Sequence, residues 1–477
     1  MVTFTICLLA LIAGYFIYGR FVERLFGPDD RKTPALTKTD GVDYIPLPTW
    51  KVFMIQFLNI AGVGPIFGAI MGAMFGTASY LWIVLGSIFA GAVHDYLSGM
   101  LSLRNNGESL PELIGRYLGL TTKQVMRVFT VILMMLVGAV FVASPAGLLA
   151  KLTPDYLDMT FWIAVIFIYY ILATLLPVDK IIGKIYPLFA AALIFMAVGI
   201  LVMLYVNHPA LPEIWEGLDN THPKAATTPI FPMMFITIAC GAISGFHATQ
   251  SPLMARCMTS ERRGRSVFYG AMITEGIVAL IWATVATYFF HENGMGITDA
   301  SSVVFDISKG WLGTLGGVLA ILGVVAAPIT SGDTAFRSAR LIVADFLGLE
   351  QKSISKRLYI CIPMFIVALG LLLYSLRDAD GFQVIWRYFA WANQTLSVFT
   401  LWAITVWLVR TRKGKAYLVT FIPALFMTAV CTSYICVAPE GFGMGTGYVW
   451  PVAIGVAVVA CAWFAMWYFK ATKKIYG

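Results

Sequence analysis

Asn59-Ile60-Ala61-Gly62-Val63-Gly64-Pro65 stands inside one long apolar run, and Gly241-Ala242-Ile243-Ser244-Gly245-Phe246-His247-Ala248-Thr249-Gln250-Ser251-Pro252 stands inside another. Glycine is costly within a helix, and proline removes a backbone hydrogen bond and clashes with the preceding turn. Both stretches therefore predict a helix that is interrupted rather than continuous. Gly68, Gly72 and Gly76, spaced by four after the first stretch, read instead as a small-residue face for close helix packing.

The runs around these stretches are two of many. Of 477 residues, 59% are hydrophobic and 12% charged, roughly half the charged share of an ordinary soluble domain. Apolar runs of about 20 residues cross about 30 Å of hydrocarbon and must be helical there, because lipid offers no partner for backbone groups. Spans at about 2–20, 52–76, 80–103, 126–150, 160–177, 185–206, 230–255, 266–291, 312–335, 358–376, 385–409, 417–437 and 449–469 predict an all-α polytopic membrane protein with 13 crossings. The first span lacks a basic n-region and a small-residue cleavage site, so it reads as a span rather than a signal peptide.

With the loop after the first span in the cytoplasm, 28 of the 33 Lys and Arg fall on the cytoplasmic side, leaving Lys151, Lys224, Lys309, Arg377 and Arg387 outside. That asymmetry predicts an outside N-terminus and a cytoplasmic C-terminus. The net charge of +8 is then a consequence of topology and calls for no nucleic-acid partner. The seven cysteines lie mostly inside apolar runs without a CxxC pair, and read as small core residues.

The two interrupted spans are five apart, and because five is odd they cross in opposite directions. Spans two to six and seven to eleven thus predict a 5+5 inverted repeat: a first helix and loop over 1–50, repeats over 51–206 and 207–411, and two further helices over 412–477. This is the layout of secondary transporters that bind substrate at the midplane, where half-helix ends and unwound backbone supply donors and carbonyls. Unwound backbone at that depth must line a cavity or be buried in protein. The expected substrate site is accordingly Ala61, Gly62 and Gly64 in the first break with Ser244, Gly245, His247 and Thr249 in the second.

Polar residues at membrane depth are the other candidates. Glu275 is the acid most clearly within the hydrocarbon, where charge is expensive and usually functional; Asp95, beside His94, is a second. Asp333 precedes Arg337 and Arg340 by four and seven residues, a spacing that fits a helix ion pair or an inner gate. Asn393 and Gln394 face a cavity or join helices. Ala327, Thr330 and Ser331 put one carbonyl and two hydroxyls on one helix face, the oxygen set a hard cation prefers, or else hydroxyls that bond back to their own helix. No HExxH, GxSxG or Cys/His ligand spacing points to an enzyme. A sensor or scaffold without transport is the alternative of another class.

Several stretches carry a family resemblance: Ala61-Gly62-Val63-Gly64-Pro65, Gly91-Ala92-Val93-His94-Asp95, Ser109-Leu110-Pro111-Glu112-Leu113-Ile114, Pro177-Val178-Asp179 with Ile185-Tyr186-Pro187, Ile243-Ser244-Gly245-Phe246-His247, Tyr269-Gly270-Ala271-Met272 with Glu275-Gly276, and Asp333-Thr334-Ala335-Phe336-Arg337. In this order, over about residues 50 to 345, they resemble the carbon-starvation protein A family of the amino acid–polyamine–organocation superfamily. The resemblance implies a LeuT-like inverted-repeat fold and an importer of peptides or pyruvate in the bacterial inner membrane, driven by an ion gradient when carbon is scarce. It further implies a sodium site in which Ala327, Thr330 and Ser331 join carbonyls of Ala61 and Gly64, or a proton-coupled variant in which Lys184 takes the ion's place.

Overall fold

The computed structural model describes residues 1–175, 182–294, 300–351, 353–376, 381–411 and 414–476. Among these the regular elements are all helices, with one isolated backbone bridge between Leu47 and Met258. Ten helices are long and apolar enough to cross a membrane, or eleven when one bent pair is taken as a single span. That pair is α2 (Thr49–Ile60) and α3 (Gly64–Ala73), preceded by α1 (Val2–Phe26). Onward run α4 (Ala78–Arg104), the short α5 (Leu110–Leu118), α6 (Leu120–Leu152), α7 (Met159–Leu175) and α8 (Ile182–Asn207). The described part of α7, 17 residues long, is also apolar.

The second half opens with the short turns Ile230–Met234 and Phe235–Thr237, loses helical form, and resumes as α9 (His247–Ala255). Then come α10 (Glu261–Asn293), α11 (Ala300–Leu347), α12 (Ile354–Ser375), α13 (Gly381–Thr411), α14 (Leu418–Val437) and α15 (Val449–Tyr476). Two boundaries differ from expectation. A span over 312–335 becomes a helix that starts at Ala300 and runs on to Leu347, broken at Gly313, whose φ of 68° is left-handed. The connection after the third span contains α5, an amphipathic helix of nine residues too short to cross.

Both predicted interruptions are present. Between α2 and α3 the axis turns by 54° around Ala61–Val63. In the second half the residues between Thr237 and His247 are not helical. The two interrupted segments lie directly on one another. A Cβ on Gly64 would collide with Cys240 Sγ, one on Gly72 with Ile238 Cγ1, and one on Gly68 would come 2.8 Å from the Thr237 carbonyl oxygen. The glycine stripe is the surface that lets the second segment approach the first, as small-residue faces do in membranes.

The loops gather at two ends of the molecule. Residues expected in cytoplasmic loops meet one another: Arg104 Nε donates to Glu261 (2.6 Å), Arg262 Nε to Asp30 (2.5 Å), Arg265 Nε to Glu23 (2.7 Å) and Arg256 Nε to the Gly107 carbonyl (3.0 Å). Residues expected outside do likewise: Thr77 Oγ1 donates to the Gly217 carbonyl (2.5 Å) and the Thr3 amide to Glu213 (2.6 Å). Glu213 thereby serves donors at the α1 N-terminus that have no helical partner. All seven cysteines are free thiols.

Candidate functional site

The second break supplies a histidine, and its neighbours supply acids. His247, the first residue of α9, is completely buried, as are His94 and Asp95 on α4 and Glu275 on α10. Asp95 sits between two imidazoles: His94 Nδ1 lies 2.8 Å from its Oδ1 and His247 Nδ1 lies 2.8 Å from its Oδ2. On the far side of the same ring, His247 Nε2 lies 3.4 Å from Glu275 Oε2. Three residues that sequence reading treated separately, one for substrate and two for ion coupling, are thus one connected buried cluster spanning three helices. A carboxylate without a partner at this depth is costly, and imidazole flanked on both sides offsets that cost by sharing protons.

Asn393 on α13 holds the second break open. Its side-chain oxygen accepts from the Phe246 amide (2.7 Å) and the Ser244 hydroxyl (3.0 Å), and its carbonyl accepts from the Gly245 amide (3.2 Å). Donors freed by unwinding are therefore satisfied inside protein, which membrane depth requires. Gly245 is at the closest approach: a Cβ there would collide with both the Asn393 oxygen and the Ser397 nitrogen, so only glycine fits without backbone movement. Asn393 thus joins helices, one of the two roles its position allowed. Thr249, one turn on, donates to the Phe246 carbonyl (2.6 Å) and lines a narrow cleft with Ser109, Pro252, Arg256 and Ser338.

The first break is neutral. Ser331 on α11 donates to the carbonyls of Asn59 (2.8 Å) and Leu58 (3.2 Å), near the end of α2, and lies 3.3 Å from a Cβ built on Gly62. Of the oxygens expected to hold a cation, Ser331 therefore meets the broken helix just before Ala61 and Gly64. The Thr330 hydroxyl donates to the carbonyls of Ala326 (3.0 Å) and Ala327 (2.8 Å) in its own helix.

Asp333 is fully buried and accepts from two tyrosines, Tyr186 of α8 through a short bond and Tyr169 of α7 at 3.0 Å. Arg337 and Arg340 instead reach Asp43, at 3.6 and 3.5 Å, in the loop ahead of α2. Burial opposes ionisation of Asp43, yet the Arg340 and Arg337 guanidiniums hold its carboxyl below the usual range. Sequence spacing could not find this contact, because nearly 300 residues separate its members; an acid in a basic loop was the only local signal. The side chain of Lys184 lies outside the described residues.

With this geometry in hand, comparison with known proteins locates the chain. The sequence profile described as Carbon starvation protein CstA matches residues 1–155, 148–309 and 295–434. A membrane protein of Haemophilus influenzae is 45% identical over 63% of this chain and 94% of its own length. The peptide transporter CstA of Bacillus subtilis is 29% identical over 95% of this chain and 92% of its own. Among solved structures, a mutant form of the manganese transporter of Eremococcus coleocola superposes with a TM-score of 0.60 at 13% identity, covering 91% of this chain and 99% of that one. MhsT in complex with L-phenylalanine gives 0.55 at 13% identity, covering 88% and 98%. At such identity the likeness establishes the fold, which is that of the LeuT-like transporters. A multi-pass helical membrane protein whose profile match runs over residues 1–434, this chain belongs to the carbon starvation protein CstA family.

Proposed function

We propose that the protein is a proton-coupled secondary active transporter that imports small peptides by alternating access, with 13 crossings, a 5+5 inverted repeat, an outside N-terminus and a cytoplasmic C-terminus in a bacterial inner membrane. The observation that carries this reading is the fully buried line Glu275–His247–Asp95–His94 attached to the second of two abutting helix breaks. A coupling proton and a substrate that share such a site move together, because each changes the charge the other meets. The expected substrate contacts are the backbone of Ala61, Gly62 and Gly64 in the first break and Ser244, Gly245, His247 and Thr249 in the second. Glu275 and Asp95 supply negative charge for a peptide's amino group, and the name of the Bacillus subtilis relative agrees with that substrate class. Asp333, held by Tyr169 and Tyr186, is a further protonatable group, and Lys184 remains a candidate by position in the sequence.

Sodium is the second reading, favoured by one observation: the Ser331 hydroxyl already lies at the carbonyls of Leu58 and Asn59. An ion there would draw on Ser331 and broken-helix carbonyls near Ala61 and Gly64, with Ala327 and Thr330 completing the set after the Thr330 hydroxyl turns from its own helix. The test is uptake into proteoliposomes of labelled dialanine and labelled pyruvate under an imposed proton or sodium gradient, each applied alone. Dialanine uptake that collapses when the proton gradient is removed is the expected result. Sodium dependence would move coupling to Ser331. Pyruvate uptake without dialanine uptake would overturn the peptide reading, and transport of neither under any gradient would leave the sensor or scaffold role standing.

A further inference from the structure

Gln56 and Asn59 are three residues apart on α2, so they share one face of the helix at the point where it ends in the first break. Each is 0% exposed. All four of their side-chain amide atoms, Gln56 Nε2 and Oε1 and Asn59 Nδ2 and Oδ1, have no hydrogen-bond partner among the described residues. Helix α2 packs against α8, α9, α10 and α11, which places it amid helices that carry Glu275, Asp333 and the second break. On α9, Gln250 is likewise 0% exposed; its Nε2 donates to Thr249 (2.9 Å) while its Oε1 has no partner among the described residues. Buried carboxamides are nearly always paired, and leaving them unpaired costs more than an apolar side chain of equal size would. Their presence calls for a ligand that pairs with them.

The chemistry of that ligand follows from the atoms left over. A carboxamide presents both a donor and an acceptor, and because the C=O and N–H of a trans peptide unit point to opposite sides, carboxamides on two sides of it, as on α2 and α9, can pair with both. A simple carboxylate such as pyruvate offers acceptors only, and would leave Gln56 Oε1, Asn59 Oδ1 and Gln250 Oε1 unmatched. Glu275, whose Oε1 has no hydrogen-bond partner among the described residues, suits a donor too. We infer that Gln56 and Asn59, with Gln250 on the adjoining α9, form a subsite that reads the peptide bond of the transported substrate through its N–H and C=O. This rests on the reading of the chain as a peptide transporter and adds the group by which a peptide is told from a monocarboxylate.

The experiment compares L-alanyl-L-alanine with its ester analogue L-alanyl-L-lactate, which replaces the peptide N–H with oxygen, as competitors of labelled dialanine uptake in proteoliposomes. The unaltered protein is expected to favour the peptide by roughly 10-fold to 100-fold, since a site built around a hydrogen bond rejects a ligand lacking the donor. Gln56→Met and Asn59→Leu, tested singly, are expected to shrink that preference to within about 3-fold while the purified protein melts at the same temperature or higher, because an unpaired buried amide has been removed. Equal inhibition by peptide and ester overturns the subsite but leaves peptide transport intact. Retention of the preference in both variants overturns the assignment to these residues. Absence of any dialanine uptake by the unaltered protein overturns this inference together with the peptide reading, and uptake of pyruvate in the same vesicles would show that transport itself survives.

Discussion

The two helix breaks pack against each other, yet their chemistry differs. The first, around Ala61–Val63, is surrounded by neutral groups: the Ser331 hydroxyl, the amides of Gln56 and Asn59 and a glycine face. The second opens directly into His247 and through it into Asp95, His94 and Glu275. A second interruption thus does not bring the same chemistry as the first. The first break offers hydrogen bonds and carbonyls, whereas the second offers charge that can change with a proton. On the proposed function both breaks contact the substrate, and the division between them is that only the second also carries the coupling proton.

Four measurements break or sharpen that division. The largest effect is expected from Asp95→Asn, which keeps the shape of the side chain but removes the charge between the two imidazoles. Proton-driven uptake should fall by about 100-fold with folding retained, a rise of roughly 2.7 kcal/mol in the transport barrier. Uptake within about threefold of the unaltered protein would show that the charged break is not the coupling site. Next is Gly245→Ala, which forces a Cβ into two backbone atoms of α13; the expected destabilisation is about 3 kcal/mol, read as loss of thermal stability in detergent, and a neutral outcome would mean that the second break yields easily.

A smaller effect is expected at the neutral break. Ser331→Ala removes the one hydroxyl proton shared between the Leu58 and Asn59 carbonyls at the end of α2, and should cost about 1 kcal/mol of stability without altering proton dependence. A loss of uptake as large as that of Asp95→Asn would erase the contrast between the breaks and favour sodium. The smallest effect lies far from both. Partial burial works against ionisation of Glu213, but the Met1 amine and Thr3 hold its carboxyl down to about 2 from an ordinary 4.5. A depressed acid contributes stability that is complete above its unfolded value and is lost as pH falls toward the folded one. Between pH 4.5 and about 2, Glu213→Gln should therefore flatten a modest part of the acid-induced drop in melting temperature. Its cost should be largest near neutral pH, where the ionised carboxyl is worth most, and a cost independent of pH would refute the ionic origin.

Particular residues mark how far the sequence could be read. Glycine and proline at 61–65 and 241–252 announced both breaks, because their backbone cost is local. Glu275, Asp95 and His247 stood out one by one, because charge in an apolar run is local as well. Their assembly was not legible: Asp95 and His247 are 152 positions apart, and only the approach of α4 to α9 brings their atoms to 2.8 Å. The Asp333 spacing was misleading for the same reason. Its periodicity points to Arg337 and Arg340 along one helix, while packing of α7 and α8 brings tyrosines to the carboxylate and draws both guanidiniums to Asp43.

By itself the sequence determined the solvent, the helical state and the positions of the interruptions, since hydrophobic run length, backbone hydrogen bonding and glycine and proline strain depend on neighbouring residues alone. Which carboxylate meets which imidazole, which hydroxyl turns to its own helix and which amides are buried without partners depended on how helices far apart in the chain lie side by side, and only the tertiary structure decided them.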